Sequence, residues 1–469
     1  MGKPIFERMK ELKEIRPISF HMPGHKGRNW LINWGEYILD MDITEIPGMD
    51  NLQDPVGVIK RSQELAAKAF GARETIYSVN GTTGGIYIAL GGISSPGDKI
   101  LIQRNSHKSV YNAAILNRLD IEYVYPNYNK DHHLYTGIDP DTIESKLKES
   151  PDIKVVVLTY PNYYGICSNI EKIGEIVHKY GKLLMIDEAH GSHFIFSDHL
   201  PTPALKAGAD ITVQSIHKTL PSFTQTSMVH IGSERVDVER IKAMSALYQT
   251  TSPSYLFMTS LELARAYMEG EGKERLDKVI QELKVLEKSL QEIPRVKVFT
   301  GDKDDKTIHS KDITKILFRI EGLTGVNTNK ILMEDYNIYL EMADRHHALA
   351  LTSVMNDRED FEALYKAIED IASREYDYVD PMDIDIPMPK IERPIYEAFY
   401  SNKRAVDLKD SIGKISASFI TPYPPGIPLI CPGEKISREL VEYISFLKDK
   451  GIEIIGFMGY NKEKIQVID

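Results

Sequence analysis

Two cysteines in 469 residues, Cys167 and Cys431, are too few and too far apart for a disulfide framework or a cysteine-based zinc site. A reducing cytoplasm is the expected setting. Tryptophan is as scarce, with two residues, and no apolar run approaches the roughly 20 residues that span a bilayer. The N-terminus, Met1-Gly2-Lys3-Pro4-Ile5-Phe6-Glu7-Arg8, mixes both charge signs and lacks the apolar stretch of a secretory signal. Phe6 stands where a myristoylation motif wants Ser or Thr. Basic stripes are missing too. The net charge of −11 argues against nucleic acid as the main partner and is compatible with a cationic small molecule.

What the chain does have is apolar residues, 42% of the total, enough for a large core spread over several domains. Their most regular arrangement is a short strand followed by a polar loop. Thr75 to Val79 leads into the turn Asn80-Gly81-Thr82-Thr83-Gly84-Gly85, with a helix expected from Ile86. Lys99 to Ile102 leads into Arg104-Asn105-Ser106-His107-Lys108, Ile153 to Leu158 into Tyr160-Pro161-Asn162-Tyr163-Tyr164-Gly165, and Lys182 to Ile186 into Asp187-Glu188-Ala189-His190-Gly191-Ser192-His193. Ile211 to Val213 ends in Gln214-Ser215-Ile216-His217-Lys218, and Pro221 stops further extension. Helical stretches such as Asn169 to Tyr180 alternate with the strands. The pattern predicts an α/β fold with a mostly parallel sheet, and ligands in such sheets sit beyond the carboxyl ends of the strands.

Further on, Gln249-Thr250-Thr251-Ser252-Pro253-Ser254 reads as a hydroxyl-rich turn before a helix at Leu256 to Met268. A charged amphipathic helix at Leu276 to Leu290 opens a second α/β region with a strand at Lys315 to Ile320. Tyr378 to Pro389 has the Pro and Asp content of a linker, and Thr421 to Glu434 is a proline-rich stretch able to wall a pocket. The expected organisation is an N-terminal arm over 1–45, a large domain over 46–270, a small α/β domain over 271–377 and a C-terminal domain over 378–469.

The loops carry the chemistry. Thr82, Thr83 and Gly84 offer hydroxyls and helix-start N–H groups to a phosphate. His107 offers a flat ring, Asp187 a carboxylate, and Lys218 an amine whose burial would depress its pKa and make it nucleophilic. One cofactor uses all four groups: pyridoxal 5'-phosphate has a phosphate to anchor, a ring to stack, a pyridine nitrogen to keep protonated and an aldehyde to hold. A metal reading of Asp187, His190 and His193 competes but explains less of the pattern, and no metal is expected. His21 and His25, split by Pro23-Gly24, are expected to sit in a packed arm. His190 is read as a neighbour holding Asp187, and His193 as a polar residue at a helix start.

In this order the motifs resemble the Orn/Lys/Arg decarboxylase family of fold-type-I pyridoxal-phosphate enzymes, in a short form without the N-terminal wing domain. The resemblance rests on Phe20-His21-Met22-Pro23-Gly24-His25-Lys26-Gly27, Val79-Asn80-Gly81-Thr82-Thr83-Gly84, Asn105-Ser106-His107-Lys108-Ser109, Asp187-Glu188-Ala189-His190-Gly191, Gln214-Ser215-Ile216-His217-Lys218-Thr219 and Pro422-Tyr423-Pro424-Pro425-Gly426-Ile427-Pro428. It implies an aspartate-aminotransferase-like large domain in which Lys218 forms a Schiff base with the cofactor, Asp187 pairs with the pyridine nitrogen and His107 stacks on the ring. Phosphate contacts are implied for Thr82, Thr83, Gly84, Ser215 and His217, and from a neighbouring subunit for Thr251 and Ser252, hence a homodimer or larger assembly with shared sites. Asn162 departs from the pattern, which has Thr at that place.

The implied reaction is α-decarboxylation of a basic amino acid, arginine to agmatine in polyamine biosynthesis, with lysine or ornithine as alternatives and Lys218 or His217 as proton donor. An aminotransferase would share Lys218 and Asp187 but needs an arginine for the substrate carboxylate, with Arg393, Arg404 and Arg438 as candidates. A non-catalytic cofactor-binding module is the remaining alternative. The substrate's distal cation is expected to meet an acidic or aromatic group, with Glu434 as one candidate.

Overall fold

In the computed structural model, residues 2–376, 388–422, 426–449, 452–459 and 463–468 are described. Seven short apolar runs form the central sheet: β1 (Glu74–Ser78), β2 (Lys99–Gln103), β3 (Asp120–Val124), β4 (Ile153–Thr159), β5 (Leu183–Asp187), β6 (Ile211–Gln214) and β7 (Ser227–Ile231). Their spatial order is β1-β7-β6-β5-β4-β2-β3. Only β7 runs against its neighbours, β1 and β6, and every other pair is parallel, as the strand–loop–helix alternation predicts. Six strands therefore deliver the loops that follow them to one edge of the sheet.

Helices cover both faces, so the middle strands are buried on both sides and read as continuous apolar runs. Alternate residues feed two cores: Val155, Val157 and Met185 point into one, Val156, Leu158, Leu184 and Ile186 into the other. The helix after β1 spans Gly81–Ile93 and lies between the sheet and the helix Val238–Tyr248. It begins five residues before the expected Ile86. Glycine is a poor helix former, but here packing overrides propensity: a Cβ on Gly85 would lie 2.6 Å from Val213 Cγ1.

A second sheet, fully antiparallel, orders Val296–Val298, Lys315–Ile320, Ala348–Leu351 and Met342–Ala343. Leu283, Leu290, Phe318, Leu332 and Ile368 pack its core against the helices Glu271–Glu292, Gly325–Tyr336 and Arg358–Ser373. The N-terminal segment joins this region: Ile18–Phe20 pairs in parallel with Ile338–Leu340, and Phe20 is fully buried. Farther along the chain, Lys403–Asp407 pairs antiparallel with Lys464–Ile468 over the helix Arg438–Asp449. Ile395, Phe419 and Cys431 from this C-terminal part sit in a core of the large sheet. The expected linker over 378–389 falls, but for Met388 and Pro389, outside the described residues, as do Tyr423, Pro424 and Pro425.

Candidate active site

Lys218 lies on a single helical turn, Ile216–Thr219, directly after β6. Asp187 ends the neighbouring β5 in parallel register, with Val213 opposite Asp187. Adjacent parallel strands thus bring carboxylate and amine to the same edge of the sheet. Asp187 is 3% exposed and accepts a hydrogen bond from the Ala189 amide at 3.2 Å. Burial pushes its carboxyl up, while the nearby Lys218 charge pulls it down. Lys218 is shifted the other way: burial lowers its pKa, with Asp187 and Glu341 opposing.

His190 Nε2 lies 3.0 Å from Lys218 Nζ. The sequence suggests Asp187 as the partner of His190, but the observed partner is the Lys218 amine, while Asp187 accepts from the Ala189 amide. Burial and the Lys218 charge drive His190 well below the usual histidine range, so it meets the amine as a neutral ring. Its Nδ1 is buried with no hydrogen-bond partner among the described residues. Tyr163 packs against the His190 ring at 5.3 Å.

His107 is the N-cap of the helix Lys108–Leu116. Its Nδ1 accepts from the Ser109 amide at 3.2 Å and meets Ser109 Oγ at 2.8 Å. Burial and the charges of Lys218 and Lys108 hold it at about 4, so at neutral pH it presents an uncharged ring. His217 Nδ1 bonds the Thr226 carbonyl at 2.8 Å and is held at about 4, mainly by burial.

Three hydroxyls meet beside Lys218. Thr82, in the first turn of Gly81–Ile93, bonds Ser215 Oγ and lies 3.2 Å from Ser227 Oγ. Thr83 occupies the same helical turn. A Cβ on Gly84 would come 2.9 Å from Asn80 Cβ, so a small residue is needed where the turn closes. First-turn amides without helical partners, clustered hydroxyls and a glycine-lined approach suit a phosphate. The buried carboxylate, the neutral imidazoles, the unpartnered His190 nitrogen and the desolvated amine suit the ring and aldehyde of pyridoxal phosphate. The residues fit the group.

Thr251 and Ser252 are not gathered into this cluster. Both are exposed, and Ser252 bonds back to Thr250. The loop is anchored by Gln249, whose side chain accepts from the Val79 amide at 2.9 Å and donates to the Tyr77 carbonyl at 3.0 Å.

Several sequence readings are corrected. Glu434 cannot meet a substrate: it is fully buried, bonding Arg104 at 3.1 Å, Tyr123 at 2.8 Å and the Cys431 amide at 2.7 Å. Arg393, Arg404 and Arg438 are all exposed on the C-terminal part. His193 does stand at a helix start, before the 3-10 turn Phe194–Phe196, but it is buried there, with Nε2 3.2 Å from Asp312. No metal-binding group of three or more ligands occurs among the described residues. Asn162, the departure from the family pattern, is fully used. Its amide donates to the Tyr135 and Thr136 carbonyls, and its oxygen accepts from the Tyr164 and Ile166 amides.

Ser227, Gln249, Lys315 and Glu341 were not singled out from the sequence. Ser227 comes in on β7 beside β1, Gln249 from the end of the helix Val238–Tyr248, and Lys315 and Glu341 from the second sheet and the strand junction beside it, so no local pattern marks them. Glu341 is half-buried, accepts from the Met22 amide at 2.9 Å, and acts electrostatically on Lys26, Lys218 and Lys315.

Comparison with known proteins agrees with this architecture. The model of the Orn/Lys/Arg decarboxylase major domain matches residues 3–394, and that of the Orn/Lys/Arg decarboxylase C-terminal domain matches residues 390–462. An arginine decarboxylase of Bacillus subtilis is 33% identical over 99% of this chain and 97% of its own. The lysine decarboxylase LdcA of Pseudomonas aeruginosa is 22% identical over 95% of this chain and 76% of its own. Among solved structures, the constitutive lysine decarboxylase of E. coli superposes with a TM-score of 0.79 at 18% identity, covering 99% of this chain and 84% of its own. A cysteine desulfurase of Thermococcus onnurineus shares the fold more distantly, with a TM-score of 0.54 at 18% identity over 72% of this chain and 91% of its own. With both family models matched and the central sheet of fold-type-I enzymes, the chain belongs to the Orn/Lys/Arg decarboxylase family.

Proposed function

We propose that the protein is a pyridoxal-phosphate-dependent arginine decarboxylase that converts L-arginine to agmatine and CO₂ in cytoplasmic polyamine synthesis. The observation that carries this reading is the desolvated Lys218 amine set beside the Asp187 carboxylate at the ends of adjacent parallel strands. Similarity to arginine decarboxylases along nearly the whole chain supports the choice of substrate.

Lys218, Asp187, His107 and the Thr82, Thr83, Gly84 and Ser215 cradle are the residues that would hold the cofactor. When bound, it supplies an aldehyde for amines and a protonated ring that takes up the electron pair released as CO₂ leaves. Asp187 would keep a proton on the ring nitrogen, a task suited to a carboxylate buried away from competing water. His107, neutral near pH 7, offers a flat face without adding charge. Burial lowers the Lys218 pKa and so favours the neutral amine, the form competent to bond the aldehyde. Of the two candidate proton donors to the α-carbon, Lys218 is favoured. His217 is neutral near pH 7, and in the tautomer that donates Nδ1–H to Thr226 its Nε2 has no proton to give.

Glu341 is the carboxylate offered to the substrate's cationic end, since its charge already acts on Lys218, Lys315 and Lys26. Thr251 and Ser252, exposed in the single chain, would serve a neighbouring subunit in a homodimer or larger assembly.

The test is a side-by-side assay of the cofactor-loaded chain with L-arginine, L-lysine and L-ornithine. The reading expects CO₂ and agmatine in equal amounts from arginine, at a higher kcat/KM than with the other two. Keto-acid formation without CO₂ would replace it with an aminotransferase.

A further inference from the structure

Lys315 opens a central strand of the smaller sheet, and its side chain is fully buried. A buried ammonium needs acceptors, and Lys315 finds them in the other domain: its Nζ donates to the carbonyls of Asn162 and Tyr163, at 3.1 Å each. The loop after β4 is shaped around this side chain. Gly165 has φ +85°, and a Cβ there would lie 3.1 Å from Lys315 Cδ. Asn162 closes the same turn from its other side through the Tyr164 and Ile166 amides.

The pinned residue, Tyr163, carries the contact onward. Its ring lies 5.3 Å from the His190 ring at an interplanar angle of 62°, and His190 Nε2 lies 3.0 Å from Lys218 Nζ. With His190 Nδ1 unpartnered among the described residues, ring packing sets the orientation of the imidazole. We propose that Lys315 is a positioning residue for Lys218: it pins the 162–163 backbone so that the Tyr163 ring holds His190 against the Lys218 amine. This rests on the assignment of Lys218 as the cofactor-bearing amine. Around Lys315 stand the Asp312 and Glu341 carboxylates, the Cys167 thiol and Lys218 itself. Burial lowers Lys315 to about 8, with the Lys218 charge adding to the shift, which still leaves Lys315 mostly cationic near neutrality.

The experiment compares the cofactor-loaded wild type with Lys315→Met, Tyr163→Leu and the double variant. Without substrate, the pH midpoint of the cofactor's absorbance change should move by about half a unit or more in Lys315→Met. With arginine, kcat should fall about tenfold in each single variant, and the double should be no worse than the stronger single, because both act through one contact chain. A Lys315→Met protein with wild-type midpoint and kcat, or penalties that multiply in the double variant, would overturn the proposal. Should Lys315→Met lose its cooperative thermal transition, Tyr163→Leu decides alone: a moved midpoint and lowered kcat support it, unchanged values overturn it. A wild type that takes up no cofactor or releases no CO₂ overturns the function and this proposal with it, a result distinct from any variant's.

Discussion

At the scale of residues, burial does most of the chemical preparation. Three lysines near the site are shifted in the same direction: Lys26 to about 7, Lys315 to about 8, and Lys218 below its ordinary value. Burial alone therefore does not single out the reactive amine; geometry does, since Lys26 and Lys315 spend their ammonium groups on backbone carbonyls while Lys218 meets a neutral imidazole. Replacing Asp187 with Asn should leave the fold intact and lower kcat by about a hundredfold or more, read as CO₂ release from arginine. Glu341→Gln should raise KM for arginine about tenfold with a smaller effect on kcat, since a charge-assisted contact to the substrate is lost.

The same burial sets a pH dependence of stability. His25, His107 and His217 are held at about 4, His230 at about 3, and His21 and His190 also lie below their ordinary values. A histidine with a depressed folded-state pKa contributes stability that is present above about 6.5 and lost as pH falls towards 4, because unfolding lets it take up a proton. Asp187, Glu188 and Glu434 are shifted upward and act in the opposite sense, but they are fewer. Thermal melting of the chain should therefore show a lower Tm at pH 5 than at pH 6.5.

At the scale of elements, the C-terminal part is tied to the loop that carries His107. Arg104, three residues before His107, donates to the carbonyls of Pro428 and Leu429 and pairs with Glu434, and Tyr123 completes the cluster. Breaking one partner of a buried pair leaves the other charge uncompensated. Glu434→Ala should thus destabilise the protein by about 3–5 kcal/mol, measured by denaturant unfolding, and weaken cofactor retention. The part of the proline-rich stretch from Pro428 to Glu434 does wall a buried cluster, but a structural one. Its Glu434 was open to misreading from sequence because a lone glutamate among prolines gives no sign of an arginine more than three hundred residues earlier. The Gly81–Ile93 helix was misread at its start for a similar reason: its glycines mark the closeness of β6 and Asn80, which only the folded chain reveals.

At the scale of the whole molecule, the parallel sheet was legible because each strand is an apolar run ending in a polar loop, and the right-handed βαβ habit sends those loops to one edge. The grouping of Asp187, His107, Lys218 and Thr82 followed from that rule. Lys315 and Glu341 were not legible: they come from the second, antiparallel sheet and the strand junction beside it, and their approach to the large sheet depends on packing between residues about 150 positions apart, as between Lys315 and Asn162.

One measurement reaches the central claim directly: reductive trapping of the cofactor-loaded chain with borohydride, followed by peptide mass mapping. The account predicts the cofactor's mass on Lys218 alone. A label on Lys315 or Lys26, or none on Lys218, would contradict it.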